Sequence, residues 1–244
     1  SGEFWHNNDG WLDEESDYCI WRGISCDDDG NLVGIDLRNN NLTGFFPARH
    51  ITKLHTLQSL ILANNSLSGS IDYVLFYKTR FLSDIDLSMN QLNGAADILV
   101  SPAAKYVNFS HNNFSFVHHY KQFKPAFSNF EMVDLSHNRI IQSASLLLQN
   151  PPPNIVEIFY SDNFIQGSLP EPLPSLESLR VLDMDKNKIE GTLPDFSKDF
   201  PELRVLKLSN QGAGNKGGLA GPIPESFANL GFLRELHLSN NAIS

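Results

Sequence analysis

Apolar and polar positions recur along most of the chain in one eleven-residue pattern, LxxLxLxxNxL. The central LxL alternates with the period of two that is typical of a β-strand, in which apolar side chains enter a core and the residue between them faces solvent. Each copy therefore predicts one short strand. The nine copies begin at Leu32, Leu57, Leu82, Ala104, Phe130, Ile155, Leu179, Leu203 and Leu233.

The copies follow one another roughly every 25 residues, within the range of about 20 to 29 residues expected of a solenoid repeat. In a solenoid each unit buries its apolar face only against its neighbours. Nine strands stacked about 4.8 Å apart would form a parallel sheet on the order of 40 Å long. The eighth copy is interrupted within residues 210–218, which lengthens the last spacing.

An asparagine occupies the ninth position of the pattern, where the chain must turn. We interpret these residues as structural, because a buried amide side chain can satisfy backbone groups of its own turn and of the neighbouring one. The asparagines are Asn40, Asn65, Asn90, Asn112, Asn138, Asn163, Asn187 and Asn241.

The two cysteines, Cys19 and Cys26, stand close together in the string CIWRGISC, ahead of the first copy. A metal site would need further ligands, and the neighbouring sequence offers none. The spacing favours a short-loop disulfide formed in an oxidising compartment.

The net charge of -10 over 244 residues is acidic. Such a chain repels phosphate backbones and anionic lipid head groups, so we predict no nucleic-acid partner. No apolar run is long enough to span a membrane, and contact with a membrane is expected only through a segment outside this chain.

Six of the copies continue with a glycine two residues beyond the last apolar position, as in LTGFFP, IQGSLP and LAGPIP. This LxGxIP extension, together with the CIWRGISC string, resembles the plant-type leucine-rich-repeat family, which includes receptor-like ectodomains and polygalacturonase-inhibitor-like proteins. The sequence NDGWL before the cysteines is also similar to caps of diatom and other algal repeat proteins.

The resemblance implies an α/β fold, a right-handed curved solenoid with a parallel β-sheet on the concave face and irregular or 3-10 segments on the convex face. It implies an N-terminal cap over residues 1–31, closed by the Cys19–Cys26 disulfide, and nine repeats over residues 32–244. Repeats four and five lack Gly-x-I-P, which leaves their convex geometry open. The last repeat is incomplete and no C-terminal cap follows it, so we expect the protein to continue beyond Ser244.

The outward strand positions are the natural ligand surface of such a fold. Large apolar residues there are informative, because the packing of a repeat does not call for them. Tyr106, Met132 and Phe159 occupy such positions in repeats four to six, with Ile61 nearer the N-terminus. Scattered exposed apolar residues are the alternative interpretation. The full predicted ligand-binding set is Tyr106, Met132, Asp134, Glu157, Phe159, Asp183 and Lys207.

Several other side chains suggest chemistry but support a simpler interpretation. Aspartates recur between the core positions, either as an acidic ladder for a basic ligand or as part of the family's usual LDLS string. His111 and His137 share one repeat position and would stack about 5 Å apart. No third ligand is evident, so we predict no metal. The Asp27–Gly30 segment has some calcium-loop character, yet a plain turn is favoured.

The carboxylate pairs Asp84 with Asp86 and Asp183 with Asp185 are the candidates for catalysis, because each pair would lie about 7 Å apart on one strand face. An open sheet offers no closed pocket to raise the pKa of one carboxyl. We predict no catalytic residues, no cofactor and no enzyme activity. Sequons that permit glycosylation occur at Asn41, Asn64, Asn108 and Asn113.

The leading hypothesis is an extracellular or cell-surface receptor-like ectodomain that binds a peptide or protein ligand, with a wall polysaccharide as a further possible partner. The alternative is a secreted wall or matrix protein, acting in adhesion or as a hydrolase inhibitor, with no signalling role. The sequence after Ser244 would distinguish them, since an anchored receptor needs an apolar span of about 20 residues.

Overall fold

The computed structural model describes residues 4–11, 13, 15–71, 78–96, 102–118, 130–149, 151–212 and 217–244. His119 and Tyr120, in the segment of repeat four that lacks Gly-x-I-P, lie outside these residues. No helix in these ranges is both long enough and apolar enough to cross a membrane.

The described residues contain nineteen short strands and four short helical segments. The strands are β1 (Ile24–Cys26), β2 (Leu32–Asp36), β3 (Thr43–Phe45), β4 (Ser59–Ile61), β5 (Ser66–Ser70), β6 (Asp84–Asp86), β7 (Gln91–Ala96), β8 (Tyr106–Asn108), β9 (Asn113–Val117), β10 (Met132–Asp134), β11 (Glu157–Phe159), β12 (Gln166–Gly167), β13 (Val181–Asp183), β14 (Lys188–Ile189), β15 (Gly191–Thr192), β16 (Val205–Lys207), β17 (Leu219–Gly221), β18 (Glu235–His237) and β19 (Ala242–Ile243). The helices are α1 (Ala48–Ile51), α2 (Ala144–Leu147) and the 3-10 segments Tyr18–Ile20 and Glu225–Asn229.

The main sheet has ten strands in the order β1-β2-β4-β6-β8-β10-β11-β13-β16-β18. Each copy of the pattern supplies one strand from β2 onward, and these strands pair in parallel with their central residues in register. The cap adds β1, which runs antiparallel to β2. The predicted solenoid with a parallel sheet is thus confirmed.

The leucine positions of the pattern fill one continuous core. The central residue of an inner strand is almost completely buried, as in Val107, Ile158 and Leu182, whereas its two neighbours on the strand are partly exposed. Leu236 of β18, at the C-terminal edge of the sheet, is still 38% exposed. Burial against both neighbouring repeats is therefore what closes the core around each strand.

The repeated asparagines form a ladder of buried amides beside this core. Asn163, for example, donates from Nδ2 to the carbonyl oxygens of Leu135, Tyr160 and Ser161, and its Oδ1 accepts the backbone N–H of Ile140. One side chain thus links two repeats, which confirms the structural interpretation of these residues.

The ladder also includes two residues that the pattern did not identify. Gln211 occupies the asparagine position of the interrupted eighth repeat, is fully buried, and bonds Met184 O at 2.6 Å and Ile189 N at 3.1 Å. At the N-terminal end, Asn7 of the cap exchanges backbone hydrogen bonds with the Asn40 side chain. The cap therefore satisfies the amide that has no preceding repeat.

The residue just before the ladder position adopts the left-handed conformation in every repeat, with φ between 52° and 58°. Asparagine tolerates this region because its short side chain can hydrogen-bond locally, whereas other residues incur a cost of about 1 kcal/mol. The nine residues are Asn39, Asn64, Met89, His111, His137, Asp162, Lys186, Asn210 and Asn240.

A second strand follows the turn in most repeats and forms three small parallel sheets, β3-β5-β7-β9, β12-β14 and β15-β17-β19. The resemblance implied only irregular or 3-10 segments on this side, so these sheets are an addition to the prediction. The glycine of the LxGxIP extension has a positive φ of 71° to 97° in all six copies, which explains why glycine is needed there. The sheets are interrupted at repeat five, where an isolated Ser143–Gln166 bridge takes the place of a strand among the described residues, whereas repeat four, which also lacks the glycine, still supplies β9.

The cap contains the predicted disulfide, with an S–S distance of 2.04 Å between Cys19 and Cys26. Its Asp27 carboxylate accepts hydrogen bonds from the backbone N–H groups of Asp29 and Asn31. These bonds close a turn and lower the pKa of Asp27, chiefly through Asn31. The aspartate run is therefore a turn, and the boundary of the cap after residue 31 remains a prediction.

Candidate ligand-binding site

The seven predicted ligand-binding residues lie together on five neighbouring strands of the main sheet, β8, β10, β11, β13 and β16. Strand register aligns them in two rows on the solvent face. Neighbouring members of a row are about 5 Å apart, because that is the spacing of paired strands. We call this set the concave patch. Its rows are Tyr106, Met132 and Glu157, and Asp134, Phe159, Asp183 and Lys207.

The apolar members of the concave patch are partly exposed rather than hidden. Tyr106 is 38% exposed, and Met132 and Phe159 are half-buried. Val181 and Val205, also half-buried, continue the first row beyond Glu157. Partly exposed apolar side chains therefore occur on all five strands, interrupted by Glu157 in the first row and flanked by Asp134 and Asp183 in the second.

A polar network holds Tyr106 in place. Its hydroxyl donates to Glu131 at 2.8 Å, Lys105 pairs with the same carboxylate at 3.1 Å, and the Lys105 ammonium lies 5.1 Å from the Tyr106 ring centre. These contacts lower the pKa of Glu131 and raise that of Lys105. Lys105 and Glu131 were not among the predicted site residues, although each directly precedes its strand at the same repeat position, which indicates that they are close together.

Asp134 has a structural role in addition to its place in the concave patch. Its Oδ1 accepts hydrogen bonds from the Ser136 backbone N–H at 2.8 Å and hydroxyl at 2.6 Å. Asp86 with Ser88 and Asn108 with Ser110 repeat this turn. The usual LDLS string is thus sufficient to explain these aspartates, while Oδ2 of Asp134 accepts no hydrogen bond from the described residues.

Burial raises the pKa of Asp134, although the Ser136 hydrogen bonds and the charges of His111 and His137 oppose the shift. A carboxyl with a raised folded-state pKa contributes stability that is complete below its unfolded pKa and is lost as the pH rises through the folded one. At neutral pH the ionised Asp134 therefore lowers the free energy of unfolding slightly.

Asp134→Asn should remove this destabilising charge and keep an oxygen that accepts the Ser136 hydrogen bonds, just as Asn108 accepts those of Ser110 in the preceding repeat. We expect the variant to be more stable than the wild type at pH 7, by less than about 1 kcal/mol. The difference should vanish below about pH 3, where the wild-type carboxyl is protonated in both states. Urea unfolding across this pH range measures it, and a difference independent of pH would contradict the assignment.

At the C-terminal end of the concave patch, Lys207 pairs with Asp183 across adjacent strands. The Lys207 Nζ lies 3.5 Å from Asp183 Oδ2, and both side chains are less than one-third exposed. Asp183 Oδ1 accepts the Asp185 N–H, and Asp185 Oδ1 accepts the Ser209 N–H at 2.6 Å. The Asp183 carboxylate thus takes part in a turn and an ion pair, and the Asp185 carboxylate links its repeat to the next one.

The rings of His111 and His137 are stacked with centres 4.0 Å apart, and His137 Nδ1 lies 2.9 Å from Asp162 Oδ2. The predicted stacking of the two histidines is therefore present. Throughout the described ranges, no group of three or more His, Cys, Asp or Glu side chains is arranged to hold a metal ion.

The four sequons differ in their surroundings. Asn41 and Asn64 are exposed, and their amide groups donate to Phe4 O and to the Asn39 side chain, respectively. Asn108 and Asn113 are half-buried on strands, and Asn108 shares a row with Asp134. A glycan at Asn108 would stand beside the concave patch. Glycosylation of each site remains a prediction.

Comparison with known proteins identifies the repeats. The family model described as Leucine Rich Repeat matches residues 178–200. Receptor-like protein kinase BRI1-like 3 of Arabidopsis thaliana is 29% identical over 197 residues, covering 79% of this chain and 13% of that protein. Receptor-like protein 13 of the same plant is 33% identical over 95 residues, covering 35% of this chain and 9% of that protein.

The chain spans about an eighth of the length of the BRI1-like kinases that it matches. Because the part of this chain that matches them is its repeat array, the similarity concerns their repeats.

Solved structures share the fold over nearly the whole chain. The ectodomain of the Arabidopsis thaliana receptor kinase GASSHO1/SCHENGEN3, in complex with CASPARIAN STRIP INTEGRITY FACTOR 2, superposes with a TM-score of 0.81 at 23% identity, over 96% of this chain and 27% of that one. A plant ice-binding protein gives a TM-score of 0.68 at 20% identity, over 94% of this chain and 79% of that one. Proteins with different functions thus share this architecture, so the fold alone does not specify the function of this chain.

Proposed function

We propose that this chain, which belongs to the plant-type leucine-rich-repeat family, is the extracellular ligand-binding region of a receptor-like protein. The concave patch is the observation that carries the proposal. It places half-exposed aromatic and apolar side chains, flanked by charges of both signs, on five adjacent strands of a rigid sheet. Such a combination is typical of the centre of a binding interface.

The ligand that best fits the concave patch is an extended peptide or a protein segment. A preformed sheet reduces the ordering cost of binding, because its backbone is already fixed by the core and the asparagine ladder. Apolar ligand side chains would cover Tyr106 and Phe159. A basic group would reach the free Oδ2 of Asp134, which Lys207, engaged with Asp183, does not neutralise.

The chemistry of the patch supports binding rather than catalysis. The carboxylates of Asp86 and Asp183 accept hydrogen bonds within turns, and that of Asp185 accepts a hydrogen bond from Ser209 of the next repeat. The face is an open sheet, on which no enclosed site would hold a carboxyl in the acidic form at neutral pH. The relatives named as kinases are matched over the repeats, and the proposed role therefore concerns recognition.

The coding sequence after Ser244 tests whether the protein is a receptor. An anchored receptor requires an apolar segment of about 20 residues, followed by a basic flank. Finding that segment would support the proposal. A C-terminal cap followed directly by a stop codon would contradict it and favour the secreted wall or matrix protein.

A further inference from the structure

A cavity of about 470 Å³ lies between the cap and the first two repeats, away from the concave patch. Buried leucines of these repeats, including Leu37, Leu60 and Leu67, form its deep wall. On the cap side it is closed by Trp5 and Trp11, whose rings pack edge to face with centres 5.0 Å apart. The cavity opens to solvent on one side, and its volume lies within the range of about 300 to 1,000 Å³ that is typical of small-molecule pockets.

The mouth of the cavity is also apolar. Phe4 and Phe45 line it and are 74% and 85% exposed, respectively. Phe45 lies on β3, and its ring covers the position where a side chain at Gly69 would stand. These are two of the most exposed large apolar side chains among the described residues. The cavity therefore has an apolar entrance as well as an apolar interior.

The polar atoms near the cavity are few and partly occupied. The Trp11 indole N–H donates to Arg22 O at 2.9 Å, and the Asn41 amide donates to Phe4 O at 3.0 Å. The Thr43 hydroxyl and the Asn41 side-chain oxygen remain available, and no charged side chain lines the cavity among the described residues. Ordered water needs two to four polar partners, so most of this space suits an apolar occupant better than water.

We propose that this cavity binds a neutral, mainly apolar small molecule of about 20 non-hydrogen atoms, a size that suits pockets of this volume. An ionised ligand would be disfavoured, because its charge would lose hydration without gaining a partner. One hydroxyl or carbonyl group of the ligand would be oriented by Thr43. This site is independent of the concave patch and of the proposed peptide ligand.

Titration with N-phenyl-1-naphthylamine, a neutral apolar probe whose fluorescence increases away from water, tests the proposal. Excited directly, the probe should show saturable enhancement with a Kd on the order of 10 µM. Because the three tryptophans of the chain are Trp5, Trp11 and Trp21, all in the cap, quenching of their emission should give the same Kd. No enhancement up to about 100 µM of probe would overturn the proposal.

Two matched variants locate the binding. Thr43→Trp fills the mouth of the cavity and should weaken probe binding by at least about tenfold. Asn93→Trp, on the exposed face of β7, should change the affinity for the probe by less than about twofold. Equal binding by both variants would overturn the assignment. Phe45→Ala, which shortens an 85%-exposed side chain at the mouth, should also weaken probe binding. Loss of binding as protein concentration rises, with a dimer in gel filtration, would instead assign the mouth to a second copy and refute the small-molecule site.

Discussion

Replacing Asn138 with alanine should lower the free energy of unfolding by about 4 kcal/mol, because several buried backbone groups would lose their hydrogen-bond partner at once. The Asn138 Nδ2 donates to the carbonyl oxygens of Phe109, Leu135 and Ser136 at 3.0, 3.1 and 3.2 Å. Its Oδ1 accepts the Phe114 N–H at 3.0 Å. These bonds join repeats four and five, and a solenoid depends on such nearest-neighbour contacts for its stability. Chemical unfolding followed by circular dichroism measures the loss.

Two further variants separate the ladder from a general effect of losing an asparagine. Asn93→Ala removes an exposed amide that makes no hydrogen bond to the described residues, and it should change stability by less than about 0.5 kcal/mol. Asn138→Gln should retain part of the stability, because Gln211 performs the same role in repeat eight. If Asn138→Ala and Asn93→Ala destabilise the protein equally, the asparagine ladder does not make the expected contribution to the free energy of unfolding.

The double variant Tyr106→Ala and Phe159→Ala should weaken peptide binding by about 100-fold or more, because central aromatic residues dominate interface energies. The melting temperature should stay within about 2 °C of the wild type, since both side chains project outward from the core. The probes are peptides of about twelve residues selected from a random phage-displayed library on the wild-type protein, long enough when extended to span the sheet. Fluorescence polarisation of the labelled peptides gives the affinities.

Ile61→Ala provides the matched control. Ile61 lies on the same face and in the same row position as Phe159, but on β4, outside the concave patch. Its truncation should leave the affinity within about twofold. An equal loss of affinity in the control and the double variant, or retention of affinity by the double variant, would remove the concave patch as the binding site.

The solenoid could be predicted from the sequence because each repeat forms the same strand and turn from the same local pattern of residues. The period-two leucines, the turn asparagine and the glycine with positive φ are requirements of one strand and one turn, and they recur in nine, eight and six copies, respectively. The two rows of the concave patch could be predicted for the same reason, since fixed register converts repeat position directly into spatial position. The disulfide could be predicted because the chain contains only two cysteines.

Other features were settled only by contacts between different parts of the fold. The role of Gln211 depends on backbone groups of the preceding repeat, and its place beside an interruption hid it from the pattern. The second sheets depend on pairing between the segments that follow the turns of neighbouring repeats, which a single repeat does not reveal. Likewise, the hydrogen bonds that the Ser136 backbone N–H and hydroxyl donate to Asp134 Oδ1 are seen only in the folded chain, and a ligand contact of Asp134 stays a prediction.

The sequence by itself therefore determined the architecture, its register and the residues that face solvent on the main sheet, because these follow from local periodicity. Only the tertiary structure determined the cavity between Trp5, Trp11 and the first repeats. Its walls come from the cap and the first two repeats, and the repeat period does not specify how far the cap lies from those repeats. A cavity is the volume that packing leaves unfilled, and it can be identified only when the positions of both walls are known.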